Sequence, residues 1–143
     1  MTQEVYLGKV AKWINGVSFK PTDIVEPFSE GSVVCFRTKN VQSNLDENDI
    51  WGIPENFVKN KEQFIQEGDI LVSTANSWEL VGKCTWISKL SYKATLGGFI
   101  SLLRANPDVI YPRYLYQWFN SPDTQYRTRY LAYISHIKNR IER

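Results

Sequence analysis

Along this 143-residue chain the apolar positions first alternate and then, past Pro107, recur at helical spacing. Near the start, Leu7, Val10, Trp13 and Ile14 are apolar and Val17 and Phe19 alternate, a pattern open to either a strand or a short helix. Asn15-Gly16 predicts a tight turn, and Lys20-Pro21-Thr22-Asp23 a loop. Ser32 to Arg37 (SVVCFR) predicts a buried strand, because its β-branched residues follow a breaking Gly31. Lys39 to Glu55 has loop composition, Phe57 and Val58 are expected to open a short strand, and Glu67-Gly68-Asp69 is a turn. Ile70 to Ser73 predicts a second buried strand and Thr74 to Glu79 a loop with Trp78 near its tip. Val81 to Ile87 alternates as a strand, and Gly97-Gly98 turns the chain into a further strand, Phe99 to Leu103.

Beyond Asn106-Pro107-Asp108 the period lengthens to that of a helix. Pro112 suits a first helical turn, with Tyr114, Leu115, Trp118 and Phe119 on one face. Ser121-Pro122-Asp123 supplies a capping hydroxyl, a proline at the first helical position and an acid in the first turn. Tyr126, Tyr130, Tyr133, Ile134, Ile137 and Ile141 then form one stripe, expected to pack on the sheet, the alternative being a docking face for another protein. Many short strands followed by two helices define an α+β domain, a strand-rich twisted sheet or barrel-like unit with two C-terminal helices. The expected organisation is a recognition domain over 1–121 and a C-terminal helix over 122–143.

Composition narrows the class. At 43% hydrophobic and 22% charged the chain is an ordinary globular domain, and no run approaches the roughly 20 apolar residues of a membrane span. Met1-Thr2-Gln3-Glu4 lacks the basic-then-apolar pattern of a secretory signal, so the expected location is the cytoplasm. Cys35 and Cys84 have no His companions and are expected to be buried and reduced. Charge is unevenly spread: seven Lys/Arg against twelve Asp/Glu as far as Glu79, but ten against three from Leu80 onward. Lys83, Lys89, Lys93 and Arg104 lie in a stretch with no carboxylate, a field that would attract a polyanion such as nucleic acid.

The chemistry of an enzyme is not evident. Asn106-Pro107-Asp108 and Ser121-Pro122-Asp123 only superficially resemble the Asn-Pro-Pro-Tyr step of adenine methyltransferases, and each fits a turn or helix cap better. No glycine-rich loop follows a strand to cradle a cofactor. No carboxylate stands two residues before a Lys downstream of Pro107-Asp108, as a nuclease of that type would need. His136, the one histidine, sits beside the helical stripe with no nucleophile in sight.

Several segments, taken in order, resemble the DNA specificity subunit of type I restriction–modification systems. These are Leu7 to Ile24 (LGKVAKWINGVSFKPTDI), Val34 to Val41 (VCFRTKNV), Gly68 to Ser73 (GDILVS), Val81-Gly82-Lys83, Phe99 to Arg104, and Pro112 to Leu115 with Asn120-Ser121. Each piece is weak alone; the specificity lies in their order and spacing. The resemblance implies a non-catalytic target recognition domain that reads one half of a bipartite site in the major groove of double-stranded DNA. It implies no cofactor for this chain. Methyltransferase (modification) subunits would use S-adenosylmethionine, a restriction subunit would cut, and a second recognition domain or a second copy would complete the site. The family's full subunit carries two recognition domains on long helices, whereas this chain has room for one, and the family's Pro-rich step into the helix is missing. A cut-out domain, a truncated subunit and a half-subunit all remain open.

Sequence reading requires hydrogen-bonding side chains on loops above a rigid sheet. Asn and Gln suit adenine's edge, and Arg or Lys suit guanine or phosphate. The candidates form three groups: Lys39, Asn40, Gln42, Ser43 and Asn44; Thr74, Asn76, Ser77 and Trp78; and Lys83, Lys89, Tyr92 and Lys93. The lysines are expected to hold phosphates, and Trp78 either to stack on DNA or to cap the core beneath its loop. Gly68, Asp69, Ile70 and Leu71 are expected to hold the fold, while Arg37 and Arg104 could serve either role. Two rivals stand beside this: a β-rich module for single strands, with aromatics stacking bases, and a degenerate subunit acting only through protein–protein assembly.

Overall fold

The computed structural model describes residues 6–75 and 77–141, with side chains only as far as Ala132. A one-turn helix α1 (Leu7–Val10) runs straight into β1 (Ala11–Asn15), so the ambiguous opening segment is helix and strand in turn. The strands that follow are β2 (Ser32–Phe36), β3 (Trp51–Pro54), β4 (Ile70–Ser73), β5 (Cys84–Trp86), β6 (Ala94–Leu96) and β7 (Ile100–Ala105), before helices α2 (Pro112–Phe119) and α3 (Pro122–Ile141). The α+β expectation holds. The strands form a four-stranded sheet, β1-β7-β4-β5, and a three-stranded sheet, β3-β2-β6, and among the described residues they do not close into a barrel.

Side-chain alternation explains why SVVCF and ILVS read as continuous apolar runs: each strand is buried on both faces. Leu71 and Leu102 point between the two sheets, beside Ile14, Phe36 and Leu96. Their neighbours Ile70, Val72 and Leu103 point the other way, onto Leu115 and Phe119 of α2. Val33, Cys35 and Ile53 fill a third cluster against Phe57, Val58 and Phe64. Both cysteines are free and buried, as expected. Burial pushes the Cys35 thiol up to about 12 and the Cys84 thiol likewise to about 12, the latter opposed by the charge of Arg129.

Several boundaries differ from the sequence expectation. Phe57 and Val58 do not start a strand; Phe57 ends a 3-10 turn, Glu55–Phe57, and both side chains pack on the third cluster from irregular backbone. The strand lies earlier, at Trp51–Pro54, where Gly52 lets the Val25–Pro27 backbone approach closely. Ala94–Leu96, not expected as a strand, pairs in parallel with β2. Asn15-Gly16 is no tight turn: Asn15 ends β1, and a Cβ on Gly16 would stand 1.8 Å from the Gly97 carbonyl oxygen. Glycine at 16 is thus a condition of the two segments crossing.

Among buried polar groups, Asp69 is 1% exposed and accepts two hydrogen bonds from Arg104, Nε to Oδ1 and Nη2 to Oδ2, both at 2.8 Å. Asp69 also accepts from the Gln66 N–H at 2.7 Å, and Arg104 Nη2 donates to the Phe64 carbonyl at 2.9 Å. This bidentate pair ties the turn before β4 to β7, which assigns Arg104 to the fold.

Ser121 accepts from the Thr124 N–H at 3.4 Å, in line with its expected capping role. Of the expected α2 face, Leu115 and Phe119 are buried but Tyr114 and Trp118 remain exposed. On α3, Tyr126 and Tyr130 are 61% and 49% exposed, so this part of the stripe does not pack on the sheet; Gln125, 8% exposed, turns inward instead. The helix approaches the sheet there through Gly82, whose φ of +82° and missing side chain admit Thr128. The side chains of Tyr133, Ile134, His136, Ile137 and Ile141 lie outside the described residues.

Candidate nucleic-acid interface

The C-terminal end of β2, the end of β4 and the start of β7 meet at one rim of the molecule. Backbone hydrogen bonds fix this meeting: Gly97 N–H donates to the Phe36 carbonyl at 2.9 Å, Thr74 N–H to Phe99 at 2.8 Å, and Ser73 N–H to Lys83 at 2.8 Å. Two irregular segments leave the rim, residues 37–50 between β2 and β3 and residues 74–83 between β4 and β5.

Asn40 organises the first segment. It is 1% exposed, its amide donates to the carbonyls of Asp46 (2.8 Å) and Asp49 (2.9 Å), and its Oδ1 accepts from the Arg37 N–H at 2.9 Å. Every polar atom of this side chain is engaged, so Asn40 shapes the loop and presents nothing to a base. Gln42 donates to the Lys39 carbonyl at 2.9 Å and accepts from Lys83 Nζ at 2.6 Å. That last bond joins the first and third candidate groups. Ser43 and Asn44 are exposed beside it.

Lys39 and Arg37 share one carboxylate oxygen of Asp49, at 2.6 and 2.8 Å, and the guanidinium carbon of Arg37 lies 3.9 Å from the centre of the Trp51 ring. The hydrogen bond from Lys39, with the charges of Arg37 and Lys39, holds the Asp49 carboxyl below its ordinary value. Asp49 is therefore ionised at neutral pH, and the clamp loosens only as pH falls through that lowered value. Two cations on one exposed carboxylate leave a net positive charge, and a phosphate could compete for them. Asp49→Asn is expected to release both cations, tightening duplex binding at low salt and steepening its salt dependence with little change in Tm; electrophoretic mobility shifts over a salt series measure this.

In the second segment Thr74 is half-buried, and the Ser77 hydroxyl accepts from the Leu80 N–H at 3.2 Å. Trp78, 39% exposed, meets Tyr126 of α3 edge-on at 6.2 Å, and Tyr126 stacks on Tyr130 at 6.3 Å. Asn76 lies outside the described residues.

The third group is divided. Lys83 belongs to the rim through Gln42. Lys93, by contrast, precedes β6, which runs parallel to β2 from Val34↔Ala94 to Phe36↔Leu96, so it sits at the opposite end of that sheet from Lys39. Its ammonium lies 3.5 Å from Glu55 and 4.9 Å from the Phe64 ring centre. Lys89 is exposed between β5 and β6, without an ion pair among the described residues. Tyr92 donates a hydrogen bond to Glu47 of the first loop and meets the Phe28 ring edge-on at 5.4 Å. Burial, with the nearby Glu47 carboxylate, raises the Tyr92 hydroxyl above its usual range.

One rim residue had no sequence signal. Phe99 is 69% exposed at φ +66°, a left-handed conformation that costs a non-glycine residue about 1 kcal/mol or more. An open groove of about 670 Å³ runs beside it, lined by Phe19, Ile24, Arg37, Lys39 and Trp51 among others.

No protein-family profile and no curated protein matches the sequence. Solved structures do match in fold, and the class they share is that of type I restriction–modification systems. One is a chain from a structure of such a system's complex assembly and conformational transition, with a TM-score of 0.59, 18% identity, and coverage of 85% of this chain and 28% of that one. The other is the HsdS subunit from Thermoanaerobacter tengcongensis, with a TM-score of 0.58, 18% identity, and coverage of 96% of this chain and 37% of that one. The chain thus has the fold of a part of a type I specificity subunit, spanning about a third of the length of the chains it matches. No helix among the described residues is long and apolar enough to cross a membrane.

Proposed function

We propose that this chain is a non-catalytic, sequence-specific reader of double-stranded DNA, recognising one half of a split target for a type I restriction–modification complex in the cytoplasm. The observation that carries this is the rim: Lys39 and Gln42 of one loop are brought against Lys83 of another, on segments pinned to two buried sheets. Such a scaffold holds donors and acceptors still enough to distinguish base edges. Lys39 and Lys83 contact phosphates, while Gln42, Asn44, Thr74 and Asn76 supply groups for base edges. Methylation by modification subunits and cleavage by a restriction subunit occur outside this chain. The exposed Tyr126 and Tyr130 on α3 support docking of a second recognition domain or a modification subunit at that face.

Competition at one salt concentration tests the reading. A labelled duplex pool held by the protein should be displaced by unlabelled duplex more readily than by single strands, with a sequence-dependent remainder surviving added salt. Equal or better displacement by single strands would favour a base-stacking module instead.

A further inference from the structure

We infer that Phe99 is a specificity-determining residue, its ring packing on the 5-methyl group of a thymine in the bound duplex; the inference rests on the DNA-reading function proposed above. Among the described residues two non-glycine residues hold left-handed backbone, Phe28 at φ +67° and Phe99 at φ +66°. The Phe28 ring, 65% exposed, has one aromatic partner, Tyr92, met edge-on at 5.4 Å. Phe99 has no such partner among the described residues and stands 69% exposed. Its backbone is nevertheless fixed: the carbonyl accepts from Thr74 N–H at 2.8 Å, and Gly97, two residues before, bridges Val17. The turn from β6 into β7 sets this backbone, and glycine would meet it at no steric cost, yet a large apolar side chain is held out from the protein there.

Its position supplies the occupant. Phe99 stands between the 37–50 loop and the 74–83 loop, and the groove beside it carries the Arg37 and Lys39 cations. Cations flanking an exposed apolar ring match a ligand with charged phosphates outside and an apolar group within. In the major groove that apolar group is the thymine methyl. Among the described residues no hydrogen bond, ion pair or ring contact runs through the Phe99 side chain, and glycine keeps the carbonyl that accepts from Thr74, so the substitution separates recognition from folding.

The test is selection from random duplex pools by the full chain, wild type and Phe99→Gly, with one pool made with thymine and a second with uracil. From the thymine pool the wild type should enrich a half-site with a preferred thymine. In the uracil pool the preference at that position should weaken about fourfold, the worth of one buried methyl. Phe99→Gly should enrich the same half-site from both pools without that preference, and should melt no lower than wild type. Retention of every preference by Phe99→Gly overturns the inference, as does a uniform loss of affinity with the selected sequence unchanged. If wild type enriches nothing, the DNA-reading function itself fails and takes this inference with it; enrichment by wild type isolates the question to Phe99.

Discussion

Arg104→Ala should unfold this protein more readily than any comparable surface substitution, by about 3–5 kcal/mol, the usual cost of leaving one member of a buried ion pair behind. The Asp69 side chain is only 2% exposed and that of Arg104 15%, so solvent cannot replace the lost guanidinium. Three donated hydrogen bonds disappear together, two to Asp69 and one to the Phe64 carbonyl. Chemical denaturation should show a lower midpoint with an unchanged slope. Arg104→Lys should fall between the two, since an ammonium keeps the charge but cannot span both carboxylate oxygens. A midpoint for Arg104→Ala indistinguishable from wild type would return Arg104 to the list of candidate DNA contacts.

The largest effect on binding is expected from Lys39→Gln combined with Lys83→Gln. Neutral glutamine avoids setting a new carboxylate beside Asp49, which Lys39→Glu would do. Duplex affinity at low salt should fall on the order of tenfold or more, and the slope of log affinity against log salt should shrink by about 1 for each lysine that holds a phosphate. Thermal stability should barely change, because the Lys39 pair is exposed and the Lys83 bond to Gln42 joins two loops. Lys93→Gln, made at the far end of the three-stranded sheet, should bind nearly as wild type. An equal loss from Lys93→Gln would move the contact surface away from the rim.

Local signals carried part of this structure. The runs SVVCF and ILVS, the turn at Gly68 and the proline starts of both helices were readable because neighbours in sequence determine them. What could not be read depends on partners far along the chain. Trp51–Pro54 is a strand because β2 lies beside it, and Ala94–Leu96 because β2 offers its other edge. Asn40 looked like an adenine reader by composition, and only the carbonyls of Asp46 and Asp49 explain why it turns inward. Lys83 and Lys93 shared one acid-free stretch, yet the parallel pairing sends Lys93 to the opposite end of the three-stranded sheet from Lys39. Phe99 passed as the first residue of a strand, since no residue type announces a left-handed phenylalanine. The order of motifs pointed to the fold; which side chains face outward was a matter of three dimensions.

The pairing of β1 with β7, Ala11 with Ala105, has a consequence for how the chain acquires its shape. The four-stranded sheet cannot be completed until its last strand is available, and β2 waits similarly for β6. Contacts of such long sequence separation slow folding, because loop closure must precede its reward. During synthesis the N-terminal strands will emerge with open edges, and maturation of this protein is expected to be a late, cooperative event.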